Sequence, residues 1–322
     1  MFSVIIPLYN KVHTINRTLL SVLNQNYKDF EVLIIDDGST DNGVSVIEKY
    51  TKDSRIRIIR QENQGVSVAR NVGIQEAKSD FIAFLDGDDE WLPEYLQKVT
   101  EAIQKFPEAG LFISARFDQD VSKSIKHEMV ATKYKNEISE IDYFENPHVF
   151  SHISATVIKR SILHENFKTW GSFFPGHKYN EDFAFLFRVA LHVKCIYIGI
   201  PLIIYYGGVE GQATSTLADT TKQKDSILFH NLVIAEWLNN PERSKTFPVF
   251  MQYEIRHILL GFIRENKQQE IAEFCNSLDK NYASFFPDFE WKQYCSGSTG
   301  KWMQYYIYLT KIRWRMRGYP RV

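Results

Sequence analysis

The chain has 322 residues, of which 44% are hydrophobic, 14% aromatic and 24% charged. That apolar share supports a substantial core and favours two domains, and the ordinary charge content excludes an intrinsically disordered chain. The formal net charge of −1 gives no overall attraction to nucleic acid, so no nucleic-acid partner is expected.

The first 120 residues alternate between two kinds of segment. Short aliphatic runs rich in β-branched residues predict strands buried on both faces, and apolar residues at helical spacing predict helices between them. This order favours an α/β fold, Rossmann-like, with a mostly parallel central sheet flanked by helices. Strands are predicted at 3–8, 30–37, 56–60, 81–86 and 110–117, and helices at 13–26, 42–51, 66–78 and after Pro93.

The second half of the chain has a looser pattern. Beyond residue 217 strand signals vanish and helices with polar joints follow, so we predict an α/β domain at 1–217 and a helical C-terminal region at 218–322. Before that boundary the predicted elements are a strand running into a short helix at 153–160, a helix at 180–193, and two strands within 193–206 around a turn at 199–201.

Local signals add two smaller expectations. Asp41 and Ser67 are predicted helix N-caps. The three cysteines, Cys195, Cys275 and Cys295, are an odd number without metal-ligand spacing, which favours reduced thiols.

The N-terminus lacks a basic leader and no window holds the ~18 apolar residues of a membrane span. The expected location is therefore cytoplasmic, attached at most to the inner face of a membrane.

Polar clusters follow three of the predicted strands, at 9–10, 36–39 and 86–89. The carboxyl ends of parallel strands share one edge of a sheet, so these clusters are expected to converge there. In the third cluster, three like charges follow a buried strand, which is costly unless a cation lies among them. Asp86 and Asp88 can hold one hard divalent cation, while Gly87 lets the backbone bend. The alternative is an acidic loop that caps the next helix.

Three other segments carry candidate site residues. Asp37, at a strand end, can accept from a base or ribose, although a simple strand–turn–helix junction is an alternative. Arg70 has apolar helical neighbours, so it either recognises a base or phosphate or covers surface with its stem. Glu181 and Asp182 begin a helix, where acids favour the dipole; alternatively one of them is a general base.

Together, five motifs in this order resemble the family 2 glycosyltransferases of the GT-A fold, over about the first 215 residues. That resemblance implies inverting transfer of a hexosyl or N-acetylhexosaminyl unit from a nucleotide-diphosphate donor, a UDP-sugar foremost. The implied acceptor is a saccharide or lipid-linked saccharide of bacterial surface polysaccharide or glycolipid synthesis. The motifs are SVIIPLYN (3–10), IIDDGSTD (34–41), NQGVSVARNVG (63–73), FLDGDDEWLP (84–93) and the Glu181–Asp182 pair.

The resemblance also implies the residue roles. Asp88, with Asp86, would ligate Mn²⁺ or Mg²⁺ on the diphosphate, and Asp182, beside Glu181, would be the catalytic base. The chain departs from the family pattern at Ala184 and within 205–215, which has neither the late arginine nor the late histidine of the family. Two alternatives follow: Glu210 or Gln212 substitutes for the histidine, or the site is more open. The implied nucleotide-binding residues are Pro7, Tyr9, Asp37, Arg70 and Asp86.

Two other classes of protein remain as alternatives. A sugar-nucleotide or polysaccharide binding protein without turnover would be expected to lack Asp182 or Asp88, and both are present. A nucleotidyltransferase usually has a Gly-rich loop and a basic residue after its first strand, whereas this chain continues Pro7-Leu8-Tyr9-Asn10.

The last 22 residues, 301–322, are basic and aromatic, without an acid. As a helix, this segment would place Trp302, Tyr305, Tyr306 and Leu309 on one face. That composition suits peripheral membrane contact, the alternative being a terminal helix docked on the domain with solvated arginines.

Overall fold

A computed structural model describes residues 1–121, 125–208, 218–240, 244–298 and 301–316. Its strands are β1 (Phe2–Leu8), β2 (Phe30–Asp37), β3 (Ile56–Gln61), β4 (Phe81–Phe84), β5 (Glu90–Trp91), β6 (Leu111–Asp120), β7 (Ile125–Met129), β8 (Ile138–Ile141), β9 (Thr156–Lys159) and β10 (Cys195–Gly207). Its helices are α1 (Ile15–Leu23), α2 (Gly43–Glu48), α3 (Val66–Glu76), α4 (Tyr95–Lys105), α5 (Pro147–Phe150), α6 (Arg160–Glu165), α7 (Glu181–His192), α8 (Asp219–Asn239), α9 (Phe247–Arg264), α10 (Gln268–Ser277), α11 (Asp288–Ser296) and α12 (Lys301–Met316).

The strands form one sheet in the order β3-β2-β1-β4-β9-β6-β10-β5. Strands β3, β2, β1 and β4 are parallel neighbours, and β6 and β10 are parallel to each other. Strand β9 lies antiparallel between β4 and β6. The prediction of a mostly parallel sheet flanked by helices is therefore confirmed.

The prediction of two strands around a turn at 199–201 is wrong, because β10 is one strand of 13 residues. Its register against β6 shifts between Ile198 and Pro201. Gly199 and Pro201, which suggested a turn, therefore mark a β-bulge within one strand. Gly199 is required there, because a Cβ at that position would lie 1.8 Å from the carbonyl oxygen of Tyr134.

Neither predicted N-cap occupies that position. The N-cap of α2 is Asn42, one residue after Asp41, although Asp41 Oδ1 accepts from the backbone N–H of Gly43 at 2.8 Å. The Ser67 prediction is wrong, because α3 begins at Val66 after Gly65. Ser67 instead lies within the first turn, where its hydroxyl donates to the carbonyl of His177 at 3.3 Å.

The C-terminal helices pack around a buried ion pair. Arg256 on α9 donates twice to the carboxylate of Glu290 on α11, both at 2.7 Å, and Glu290 is fully buried. The hydroxyls of Tyr294 and Tyr306 donate to the same carboxylate at 2.8 and 3.1 Å, so this group also anchors α12.

No described helix has the length and apolar character needed to cross a membrane. The three cysteines are free thiols, and Cys195 and Cys275 are buried. The division at residue 217 stays a prediction, since residues 209–217 lie outside the described part of the chain.

Replacing Arg256 by alanine is expected to lower the free energy of unfolding by about 3–5 kcal/mol, because Glu290 would remain buried without its charge partner. Urea unfolding followed by circular dichroism measures this. The matched control is Arg60→Ala, since Arg60 forms a pair with Glu48 in which both side chains are more than half exposed; its expected cost is about 0–1 kcal/mol. Equal losses in the two variants would contradict the prediction.

Candidate active site

The acidic loop after β4 is held by the start of α1. Thr14, Arg17 and Thr18 donate to the backbone carbonyls of residues 87, 88 and 89 respectively, each at 2.7 Å. Residues spaced by three and four lie on one side of a helix, so one side of α1 fixes three consecutive peptide units. The loop geometry is therefore set by the backbone and leaves its carboxylates available for other contacts.

Two of the loop's carboxylates bind cationic side chains. Asp88 Oδ2 lies 2.6 Å from the ammonium Nζ of Lys11. Asp86 Oδ1 accepts from Nη2 of Arg70 at 2.7 Å. The repulsion expected from the sequence is thus relieved by one lysine and one arginine.

The third carboxylate, Asp89, is buried and serves the structure. Its Oδ2 accepts from the hydroxyl of Ser154 at 2.5 Å, and Oδ1 lies 3.4 Å from the backbone N–H of Tyr206. Burial, followed by the nearby charges of Asp88 and Asp86, raises the pKa of Asp89 well above its usual value. This shift favours the protonated form of Asp89, in which the carboxyl carries no charge.

Arg70 links the acidic loop to the first turn of α7. Its side chain is 3% exposed, and Nη1 donates to Glu181 Oε1 at 3.0 Å while Nη2 binds Asp86. Burial alone would lower the pKa of Arg70, but the charges of Asp86 and Glu181 outweigh it, so the pKa is raised. Arg70 therefore stays charged and holds two carboxylates from opposite sides of the site.

Asp182 follows Glu181 at the start of α7. Burial is the largest cause that raises the pKa of its carboxyl to about 7, and the charge of Glu181 raises it further. The charge of Arg70 and a 2.8 Å hydrogen bond from the N–H of Phe183 act in the opposite direction. A carboxylate with a pKa near 7 is suited to accept a proton at neutral pH.

The loop before α7 is pinned by α8. Asp225 Oδ2 accepts from the backbone N–H groups of Lys178 and Tyr179, at 2.8 and 2.9 Å. Nε2 of His177 lies 3.1 Å from the backbone oxygen of Asp225, and Asn180 adopts a left-handed conformation with φ 60° just before the helix. The position of the candidate base thus depends on a residue of the C-terminal region.

The predicted nucleoside residues lie at the ends of β1 and β2. Pro7 is in β1, and the side chain of Tyr9 just beyond it is exposed. Asp37 is buried and accepts three hydrogen bonds at 2.7–2.9 Å from residues 61, 64 and 65. A carboxylate has about four acceptor positions, so Asp37 holds the 61–65 loop and keeps about one position for a ligand.

The structure brings Asp86, Asp88, Arg70, Glu181 and Asp182 together through the contacts above. The sequence reasoning missed Lys11, Ser154 and Asp225. Lys11 could have been found, because it is a basic residue directly after the polar residues Tyr9 and Asn10 that follow the first strand. Ser154 and Asp225 could not, because their contacts with Asp89 and with the loop before α7 span 65 and 46–47 residues and leave no local signal. Glu210 and Gln212, the predicted substitutes for the late histidine, lie outside the described residues.

Asp88 and Asp86 fit a divalent cation that also binds phosphate. No group of three or more His, Cys, Asp or Glu side chains suited to a metal occurs in the described part of the chain. Mg²⁺ is usually held by only one or two carboxylates together with substrate phosphates. Asp88 already binds a cation, the Lys11 ammonium, in this position. Asp86 and Asp88 thus supply carboxylate oxygens of the type that a divalent cation takes as ligands.

Residues 3–167 match the glycosyl transferase family 2 model, which is about half of the chain. The chain therefore belongs to the glycosyl transferase family 2.

Curated relatives match about a third of the chain. An uncharacterized glycosyltransferase of Haemophilus influenzae is 41% identical over 100 residues, 30% of this chain and 40% of the relative. TuaG of Bacillus subtilis, whose name assigns it provisionally to teichuronic acid biosynthesis, is 41% identical over 103 residues, 31% of this chain and 41% of the relative. The chain thus spans less than half the length of these two relatives.

The fold is similar to that of a crystallised fragment of TarS from S. aureus in complex with UDP-GlcNAc. The TM-score is 0.74 at 19% identity, covering 92% of this chain and 87% of that one. The same fragment with UDP gives a TM-score of 0.69. The likeness confirms the predicted GT-A fold.

Replacing Asp225 by alanine is expected to free the backbone N–H groups of Lys178 and Tyr179. Amide hydrogen exchange of the peptide spanning 175–183 should accelerate at least about tenfold, because local opening becomes less costly when buried hydrogen bonds are lost. Asp219→Ala on the same helix is the control, since its side chain is 90% exposed and exchange should be unchanged. Equal exchange in both variants would show that Asp225 does not position this loop.

Proposed function

We propose that the protein is an inverting glycosyltransferase that moves a sugar from a nucleotide-diphosphate donor to an acceptor hydroxyl. The observation that carries this proposal is the Arg70 bridge between Asp86, in the acidic loop, and Glu181, next to Asp182. Through these two ion pairs, Arg70 connects the acidic loop, which would face the diphosphate, to the first turn of α7, which carries the candidate base. A nucleotide-sugar binding protein without turnover would have no need of a base with a pKa near 7.

In the proposed reaction, Asp182 takes the proton from the acceptor hydroxyl as that oxygen attacks the anomeric carbon. The bond from this carbon to the donor's diphosphate breaks, and the diphosphate leaves with the electron pair. One displacement with one base inverts the configuration. Arg70 takes no part in the bond changes. Its positive charge offsets the negative charge of Glu181, and the two charges act in opposite directions on the pKa of Asp182.

For the donor, we propose that Pro7, Tyr9 and Asp37 hold the nucleoside, together with Arg70 and Asp86. The exposed ring of Tyr9 is available to a base. A UDP-sugar is favoured because the structurally similar TarS was crystallised with UDP-GlcNAc and with UDP. That relationship supports a hexosyl or N-acetylhexosaminyl donor.

For the metal, we propose that Asp88, with Asp86, would hold Mn²⁺ or Mg²⁺. When bound, such an ion stabilises the negative charge that develops on the leaving diphosphate. The chain itself supplies positive charge to these carboxylates, through Lys11 and Arg70.

For the acceptor, we propose a saccharide or lipid-linked saccharide of bacterial surface polysaccharide synthesis. The name of TuaG supports this class. We also propose that residues 1–217 form the catalytic domain and that the helices after residue 217 complete it, because Asp225 holds the loop before the candidate base.

We further propose that α12 contacts an anionic membrane surface on the cytoplasmic side. Trp302, Tyr305, Leu309 and Ile312 are between 49% and 71% exposed, whereas Met303 and Ile307 are buried on the opposite side of the helix. The predicted face is thus present except for Tyr306, which turns towards Glu290. Residues 301–322, which include α12, contain six basic residues and no acid. The basic residues are Lys301, Lys311, Arg313, Arg315, Arg317 and Arg321.

The pH dependence of sugar transfer tests the base. Because Asp182 must be deprotonated and its pKa is about 7, kcat/KM is expected to fall tenfold per pH unit below about pH 7. Glu181→Gln removes the neighbouring negative charge that raises this pKa, so the acid limb should move to lower pH. Release of UDP from candidate UDP-sugars, measured between pH 5 and 9, gives both profiles.

Asp182→Asn is the control for the same assay. It should lose about 10²–10⁴ in rate, the usual effect of removing a general base, while donor binding by calorimetry is kept. An acid limb that stays in place or moves upward in Glu181→Gln would assign the titration to another group, and near-normal transfer by Asp182→Asn would reject this base.

Vesicle co-sedimentation tests the membrane face. Leu309→Ser/Ile312→Ser should bind anionic phosphatidylglycerol vesicles at least about fivefold less than the unaltered chain at low salt, because apolar insertion adds to charge attraction. The control Val121→Ser/Leu238→Ser removes two exposed aliphatic side chains elsewhere and should bind normally. Equal binding by the two variants, or equal binding to neutral vesicles, would leave α12 as a structural helix only.

A further inference from the structure

Lys11 lies where the proposed donor diphosphate would meet the acidic loop. Its Nζ is 2.6 Å from Asp88 Oδ2, and the two side chains are only 17% and 12% exposed. We infer that Lys11 is a diphosphate-binding residue whose ammonium competes with the divalent cation for Asp88. This inference rests on the proposed function, because it assumes that a nucleoside diphosphate occupies the site.

The backbone on both sides of Lys11 is fixed. Asn10, in a left-handed conformation with φ 51°, accepts from the backbone N–H groups of Thr40 and Asp41 at 2.8 and 3.2 Å. On the other side, the N–H of Val12 donates to Asp41 Oδ2 at 2.8 Å. Any change of partner by the ammonium must therefore come from rotation of the side chain.

The stem of Lys11 crosses the glycine between the two loop aspartates. A Cβ on Gly87 would lie 3.5 Å from Cγ of Lys11 and 3.3 Å from the carbonyl oxygen of Pro7. A Cβ here would therefore meet the stem at an ordinary van der Waals distance and press more closely on the Pro7 carbonyl. The Lys11 stem thus lies directly against the loop between Asp86 and Asp88.

The other two cations near the loop are less free to change partners. Arg70 is buried between two carboxylates. Arg17 donates to the backbone oxygen of Asp88 and lies 3.7 Å above the ring of Tyr206. Within the described residues, Lys11 makes one side-chain bond, to Asp88, and a lysine is a mobile point charge that suits phosphate.

The consequence is an exchange of partners. In the structure the ammonium lies at one oxygen of Asp88, so a divalent cation that binds there must displace it. When a diphosphate is present, its oxygens offer the ammonium a new partner and Asp88 becomes available. The affinities for metal and diphosphate must then increase each other, since coupling between two ligands is reciprocal.

The test uses Lys11→Met, which keeps the stem length and removes the charge. Binding of Mn²⁺ alone, followed by electron paramagnetic resonance, is expected to tighten at least about tenfold. Binding of UDP in EDTA, followed by calorimetry, should weaken at least about tenfold, and inorganic pyrophosphate is the base-free probe of the same contact. Lys28→Met, at a site remote from the acidic loop, is the control and should change neither affinity.

A second variant covers the case in which Lys11→Met folds poorly. Lys11→Arg keeps the positive charge, so Mn²⁺ alone should still bind weakly and UDP in EDTA should bind nearly normally. Unchanged Mn²⁺ and diphosphate affinities in a folded Lys11→Met protein would overturn the inference. If the unaltered chain transfers no sugar while both affinity changes are observed, the proposed function fails and Lys11 is still a diphosphate ligand.

Discussion

The buried guanidinium of Arg70 is the interaction on which the candidate site depends. It joins Asp86, at the exit of β4, to Glu181, which is 111 positions from Arg70 in the chain. Because the Arg70 side chain is only 3% exposed, its loss would leave two carboxylates without their charge partner in a poorly solvated place. The acidic loop and the start of α7 are therefore linked through one side chain; under the proposed function, this link sets the separation between the leaving diphosphate and the base.

The same reasoning explains why the C-terminal helices belong to the working unit. The family match ends at residue 167, before α7 and before every helix of the C-terminal region. Yet Asp225 holds the loop that leads to Asp182, and Glu254 lies 3.1 Å from His148, in the first half of the chain. A fragment cut at the end of the matched region would lack the proposed base, and one cut at residue 217 would lack the support of its loop.

The sequence predicted those parts of the fold that follow from a periodic pattern of apolar residues along the chain. Alternating aliphatic and helical patterns identified the strands from β1 to β4 and the convergence of Asp37 and Asp86 on one edge, because both depend on chain order and strand direction. The ion pair of Lys11 with Asp88 depends on a distance across 77 residues. The continuity of β10 depends on how Gly199 meets Tyr134. Such tertiary contacts have no periodic signal in the chain.

The charges of the site bear on the order in which its ligands arrive. Asp86, Asp88, Glu181 and Asp182 face two directly bound cations, Lys11 and Arg70, while burial favours the protonated form of Asp89. A diphosphate adds at least two negative charges to this excess, so it enters favourably only with a divalent cation or by attracting an ammonium away from a carboxylate. Lys11 can supply the second route at once, because its stem rotates without backbone movement. Under the proposed function, metal and donor therefore increase each other's affinity, because the diphosphate takes the Lys11 ammonium as a partner and leaves Asp88 to the metal.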